Sequence, residues 1–241
     1  MPVVAWFAQR GAFGPDNGAI SAQYPTLIVA AGYAFSIWGP IFLLDVLFGI
    51  WQMLPSRAAD PVLQRIRPAA AAGFALTTAW MIVFPHQLFW LALLIMWLDL
   101  ACLLYCADLL GRRVDRGGAR HWIALLSLSL HAGWLTLAAF LNLAQVIVAY
   151  RLLPTDEMLA WTLPLILCAA ALLLIFNQRA HGNVAFALAG VWGLAAVYVR
   201  QSGSSLAGAP VAAMMAAGLA VVLALQTAWL LRKRFAGRER R

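Results

Sequence analysis

Seven stretches of the chain run almost without charge: 33–53, 68–84, 87–109, 121–150, 158–176, 184–200 and 210–231. A hydrocarbon layer of ~30 Å takes about 20 apolar residues in helical form. Each stretch therefore predicts a membrane-crossing helix, the second and sixth at the short limit. The fourth is long and must tilt or protrude. Pro85 and His86 mark the turn between the second and third spans, and Pro154 the loop after the fourth. Pro40 and Pro164 fall inside spans, where neighbouring groups can re-satisfy the freed backbone. The pattern predicts an all-α polytopic bundle of seven transmembrane helices, with no evident internal repeat.

Composition agrees with the pattern. The chain is 64% hydrophobic and 11% charged, whereas a soluble domain carries about 25% charged residues. A net charge of +8 would suggest nucleic acid in a soluble protein, but no nucleic-acid-binding motif is present, and no such partner is expected. The cations instead sort by loop. Arg10, Arg151 and Arg200 fall on one side, and the other fourteen of the seventeen Lys and Arg fall on the opposite side. That asymmetry predicts an N-terminus outside and a C-terminus in the cytoplasm. The basic tail "LRKRFAGRERR" then meets anionic headgroups. "VVAWFA" is too short for a signal-peptide core and lacks a basic n-region, so no cleaved signal is expected. Lys233, in the tail, is the only lysine, which excludes a retinal Schiff base within the bundle.

Polar residues inside the spans carry the candidate chemistry. A charge at bilayer depth costs about 2.5–3.5 kcal/mol on insertion scales, so such residues face a cavity or a partner. Asp45 lies ~12 Å from the inner end of its span, and Asp99 and His131 lie ~15 Å from theirs. Three ionisable groups thus fall near one plane, either as a polar or proton site or as a clamp between helices. Seven of the eleven Trp fall into two groups. Trp51, Trp122, Trp161 and Trp229 sit near span ends as interfacial anchors. Trp38, Trp80 and Trp134 lie deeper. Asn142 and Gln145 share a face of the fourth span, suited to helix contact or ligand contact. Thr77 and Thr78 are expected to bond back to their own helix. Cys102 and Cys106 share a helix face without implying a disulfide or a metal site. No nucleophile with an adjacent base, phosphate loop or zinc spacing is readable, and no catalytic residue is assigned.

Three segments carry a resemblance. "NGAISAQYPTLIVAAGYAFSIWGPIFLL" (17–44), "TTAWMIVF" (77–84) and "GWLTLAAFLN" (133–142) resemble the TspO/MBR family of tryptophan-rich sensory proteins, which includes the mitochondrial translocator protein. The third matches Trp-x-x-x-Ala-x-x-Leu-Asn at Trp134, Ala138, Leu141 and Asn142. The chain departs from the short members in three ways. Phe35 and Trp38 are three apart rather than four, Thr77 replaces an Asn, and the family's first span is missing or very short. The resemblance implies a bundle enclosing a pocket for tetrapyrroles and other lipophilic ligands. It carries Trp38, Trp80, Trp134 and Asn142 over as pocket residues. Wide indole faces suit a flat macrocycle, and indole N–H groups suit its carboxylates.

The sequence reading is accordingly a multi-pass protein of a bacterial inner membrane. An outer segment 1–32 precedes a four-span core over 33–150, a three-span extension over 151–231 and the tail 232–241. Trp38, Trp80, Trp134, Asn142 and His131 would bind a tetrapyrrole or another polycyclic or isoprenoid ligand, for sensing or transport. His131 could also ligate a tetrapyrrole metal. No cofactor is required, and porphyrin or haem enters as ligand. Partners are lipophilic small molecules and lipids, with a homo-oligomer or larger complex open. Three alternatives stand: a proton-coupled transporter using Asp45 and Asp99, a lipid or pigment enzyme using His131 and an Asp, and a structural subunit of a membrane complex.

Overall fold

The computed structural model describes residues 1–111 and 121–238. Arg112, Arg113, Arg116, Arg120, Arg240 and Arg241 of the cation-rich side lie outside the described residues. Two short helices come first, α1 (Pro2–Gln9) and α2 (Asn17–Gln23), followed by a 3-10 turn over Gly32–Ile37 that leads into α3 (Trp38–Gln52). Six long helices follow: α4 (Pro61–Val83), α5 (Phe89–Gly111), α6 (Trp122–Ala149), α7 (Met158–Arg179), α8 (Val184–Ser202) and α9 (Ala209–Arg238). Seven helices are long and apolar enough to cross a membrane, and no strand occurs among the described residues.

Boundaries differ from the hydropathy reading where caps decide them. The second crossing helix is 23 residues long and begins at Pro61, seven positions before the apolar stretch. Asp60 caps it, its Oδ1 accepting the amides of Val62 and Leu63 at 3.0 and 3.2 Å. Pro61 is tolerated at the first helical position because its missing N–H would be unsatisfied there anyway. Asn183 caps α8 in the same way through Phe186. The α4–α5 turn runs through Phe84–His86 and closes at Gln87, whose φ is +59°. The Tyr24 hydroxyl donates to Gln87 Oε1 at 2.7 Å and ties that turn to the N-terminal segment.

One helix organises the rest. Of its apolar window, α6 has 83% buried, against 33–56% for the other six. It is surrounded by α3, α5, α7 and α8, so α7 and α8 pack onto the same central element as α3 and α5, while α9 packs on α7 and α8. A single hydrophobic cluster runs through all of them. On the α8 side the approach is close. A Cβ added at Gly133 would collide with the Phe186 carbonyl, and one added at Gly193 would collide with Leu137. Small residues at such crossings let backbones meet, which is the main source of helix association in lipid.

At the far end from α1 and α2, His121 Nε2 lies 2.8 Å from Asp60 Oδ2. Burial pushes the Asp60 carboxyl up. The His121 hydrogen bond and the amides of Leu63 and Val62 outweigh it and hold the group below its ordinary value. A carboxyl lowered in the folded state contributes stability above its unfolded pKa and loses it as pH falls through the folded value.

Gly133→Ala is expected to overpack the α6–α8 seam by about 1–3 kcal/mol. It should lower the thermal midpoint in detergent, whereas Gly49→Ala, with nothing within 4 Å of the new methyl, should leave it unchanged or higher. Asp60→Asn keeps a capping oxygen but loses the charge. Its deficit in thermal midpoint against the parent should be present at neutral pH, begin to shrink as pH drops below about 4 and vanish only below the folded value of Asp60.

Candidate functional site

Four helices place polar side chains at one level of the bundle, and these form a chain of contacts. The Ser127 hydroxyl donates to Asp45 Oδ1, and Asp45 Oδ2 lies 3.0 Å from His131 Nδ1. His131 Nε2 faces Thr77 Oγ1 at a long 3.4 Å. Thr77 Oγ1 lies 2.6 Å from Asp99 Oδ2 and 3.1 Å from its own helix's Gly73 carbonyl. The order is therefore Ser127–Asp45–His131–Thr77–Asp99, running α6, α3, α6, α4, α5, and all five are buried. Ser127 and His131 are four apart on α6, so both reach the same Asp45 carboxylate. Asp99 Oδ1 has no partner among the described residues. Phe74 stacks on the His131 ring at 6.4 Å, and Trp38 meets it edge-on at 5.6 Å.

The three ionisable residues singled out from depth alone thus meet in space. Asp45 is tolerated by pairing rather than by facing a cavity, with its carboxylate covered by Ser127 and His131. Thr77 does bond back to its helix, as expected, but also bridges α4 to α5 and α6. Thr78 only bonds back, to Phe74 at 2.7 Å.

Beside this chain, toward the end that carries α1 and α2, the indoles converge. Trp38 lies 6.2 Å from Trp80 and 6.1 Å from Trp134. Phe42 stacks on Trp38 and Phe84 on Trp80. Phe35 adds an edge contact to Trp134 at 6.1 Å. The three-residue spacing of Phe35 and Trp38 has its reason here. The chain is a 3-10 helix up to Ile37, and side chains three apart eclipse in that geometry, so both reach Trp134.

Between these rings lies a closed cavity of about 20 Å³, lined also by Ser21, Asn142 and Gln145. That is room for about one water, so in this conformation the indoles fill their own chamber. The buried N–H groups of Trp38 and Trp134 have no partner among the described residues. Trp80 differs: its Nε1 donates to Asn142 Oδ1 at 3.0 Å, while Asn142 Nδ2 donates to Ala138 O. Asn142 therefore sits on the chamber wall and fixes the Trp80 ring. His131 is not on that wall. Both its ring nitrogens face the polar chain, and Trp38 is its contact on the chamber side.

The remaining candidates fall elsewhere. Trp122 and Trp229 are exposed, Trp161 donates to the Pro154 carbonyl, and the Arg57 guanidinium lies over Trp51. Cys102, Cys106 and Cys168 are free thiols, and no metal-holding group of His, Cys, Asp or Glu occurs among the described residues. Sequence reasoning missed Ser127 and Ser21. The i, i+4 spacing of Ser127 with His131 was the available signal for the first. Ser21 Oγ accepts from Gln145 Nε2 at 3.1 Å, a contact that no local pattern announces.

Seven apolar helices, one of them buried at the centre and rich in polar side chains, with an aromatic chamber beside a carboxylate–imidazole chain, define a polytopic membrane protein with an intrabundle site. Within that class, residues 1–229 match the family described as TSPO-like protein, and the chain belongs to that family. The match runs through α7, α8 and most of α9, well past the segments 17–150 that carry the resemblance. The chain matches no curated protein and no solved structure.

His131→Ala would strand the buried Asp45 carboxylate, at a cost of about 3–5 kcal/mol. Thr77→Val removes the donor to Asp99 and should cost about 1–3 kcal/mol, while Thr77→Ser should fall well short of that. Thermal unfolding of the three variants in one detergent gives this order or refutes the chain as a structural unit.

Proposed function

We propose that the protein binds a flat, largely apolar ligand with an anionic edge, a tetrapyrrole or a polycyclic or isoprenoid lipid, between Trp38, Trp80 and Trp134, for sensing or transport. The observation that carries the reading is the convergence of three indoles on one chamber with two buried N–H donors left unpartnered. A buried polar group without a hydrogen bond is costly, and a ligand carboxylate or carbonyl would satisfy it. Membership of the TSPO-like family supports a ligand-handling role of this kind. Sites for such ligands enclose several hundred Å³, so binding requires the rings to part. The cation asymmetry supports a bacterial inner membrane as the setting, with α1 and α2 on the outer side.

Titration of purified protein with protoporphyrin should quench tryptophan fluorescence saturably. Trp134→Ala should weaken binding about three- to tenfold, as expected for one lost aromatic stack of ~0.5–1.5 kcal/mol. Absence of saturable quenching by protoporphyrin and by haem removes the reading.

A second reading rests on the polar chain. Two proton arrangements fit its geometry at the same net charge. In one, His131 carries protons on both nitrogens, donating Nδ1–H to Asp45 and Nε2–H to Thr77, which donates to an ionised Asp99. In the other, Asp99 holds a proton and donates to Thr77 Oγ1, which donates to His131 Nε2. Passing from the first to the second breaks the Nε2–H bond and forms an O–H bond on Thr77, whose original hydrogen moves to Asp99 Oδ2. Such a chain suits proton-coupled movement of the ligand. Under this reading Asp99→Asn abolishes uptake driven by a pH gradient in proteoliposomes while changing equilibrium binding less than about twofold. Undiminished gradient-driven uptake would rule it out.

A further inference from the structure

A second space lies against the chamber. An open recess of about 420 Å³ is formed by Gly18, Ser21 and Ala22 of α2, Ala30 and Gly32 of the following linker, and Arg200 in the last turn of α8. Ser21 and Ala30 line both spaces. Ser21, at their shared edge, is held from the chamber side by Gln145, whose Nε2 donates to Ser21 Oγ at 3.1 Å.

The two walls of the recess are held differently. The linker wall is stapled to α8. Gln201 Nε2 donates to the Thr26 and Val29 carbonyls at 3.1 and 3.0 Å, and the Ala31 amide donates to Ala196 O at 3.0 Å. The opposite wall is α2, a helix of seven residues. Its side-chain ties are the Asp16 cap on Ala19, the Gln145–Ser21 bond, a long 3.4 Å contact from Gln87 Nε2 to Gln23 Oε1 and, just beyond the helix, Tyr24 on Gln87. The recess therefore has a fixed side and a side that can give.

Its electrostatics are one-sided. Arg200 is exposed, and among the described residues it is the one charged residue lining the recess, with no acidic residue beside it in the lining. It forms no ion pair among the described residues. A cation in the last turn of a helix gains from the dipole, and this alone explains an arginine there. It does not explain why the side chain borders the recess that shares Ser21 and Ala30 with the indole chamber.

We propose that this recess is the entry and anchoring subsite of the chamber. Arg200 holds the carboxylate, or another anionic group, of an amphiphile whose flat apolar body passes Ser21 into the space between the indoles. The Gln145–Ser21 bond opens as it passes, and the recess and chamber become one cavity. This rests on the chamber reading and assigns the ligand a required chemical form: an anionic group at one edge of an apolar plate. A guanidinium matches a carboxylate bidentately, where an ammonium offers a single point charge.

The test compares protoporphyrin, which has two carboxylates, with its dimethyl ester, by tryptophan quenching of the full chain in one detergent. The parent protein, Arg200→Gln and Arg200→Lys are titrated with both. Ratios between variants cancel the different partition of the two probes into detergent. Arg200→Gln should weaken the diacid about three- to tenfold and leave the ester unchanged. Arg200→Lys should recover part of the loss, and added salt should erode the difference. Equal weakening of both probes, or of neither, overturns the anchor while the chamber reading stands. Saturable quenching by neither probe in the parent removes both.

Discussion

Within a bilayer, every polar group must find its partner inside the protein, because lipid offers none. That constraint accounts for the placement of α6. It carries Ser127, Ser129, His131, Thr136, Asn142 and Gln145, all buried, and a helix with so many polar groups cannot face lipid on any side. Helices α3, α5, α7 and α8 enclose it. Five of the six have a neighbour on another element to answer them, Asp45 for Ser127 and His131, Asn183 for Ser129 at 2.7 Å, Trp80 for Asn142 and Ser21 for Gln145, while Thr136 bonds back to Ala132 O. The centre of the bundle is polar because its periphery is not.

The same arrangement joins the two layers of the site. Trp38 belongs to both, as one wall of the chamber and the edge contact of His131. It enters from a 3-10 turn that continues into α3, the helix bearing Asp45. A ligand that displaces Trp38 therefore acts on the element that holds the carboxylate of the polar chain. The chamber and the polar chain thus share a mechanical link of a single helix.

Much of this was legible in the sequence. Seven apolar stretches predict the seven helices, because span length and the absence of charge are properties of each segment alone. The depth of Asp45, Asp99 and His131 follows from residue rise. Their meeting does not, since depth says nothing about which way a helix is turned. Helix ends were misplaced where a cap outweighs hydropathy, as at Asp60 and Pro61, where Gln64, Arg65 and Arg67 are helical but not apolar. The small hydroxyls were hardest to read. Serine and threonine in a span usually bond to their own backbone, as Thr78 does, and only the packed neighbours distinguish Thr77 and Ser127 from it. The chamber residues were named through resemblance, but that the rings close upon one another is a matter of packing alone.

The glycine seam between α6 and α8 has a consequence for motion. The α8 backbone meets α6 at Gly133 and the Leu137 side chain of α6 fills the space at Gly193, which leaves no slack, so these two helices behave as one rigid spine. The linker wall stapled to α8 belongs to that spine too. Whatever breathing admits a guest must then occur on the opposite flank, at the short helix α2, because the 3-10 turn is itself tied to α8 by the Trp192 indole, which donates to Ala34 O at 3.0 Å. The molecule is hinged on one side only, like a book with a stiff board and a soft cover.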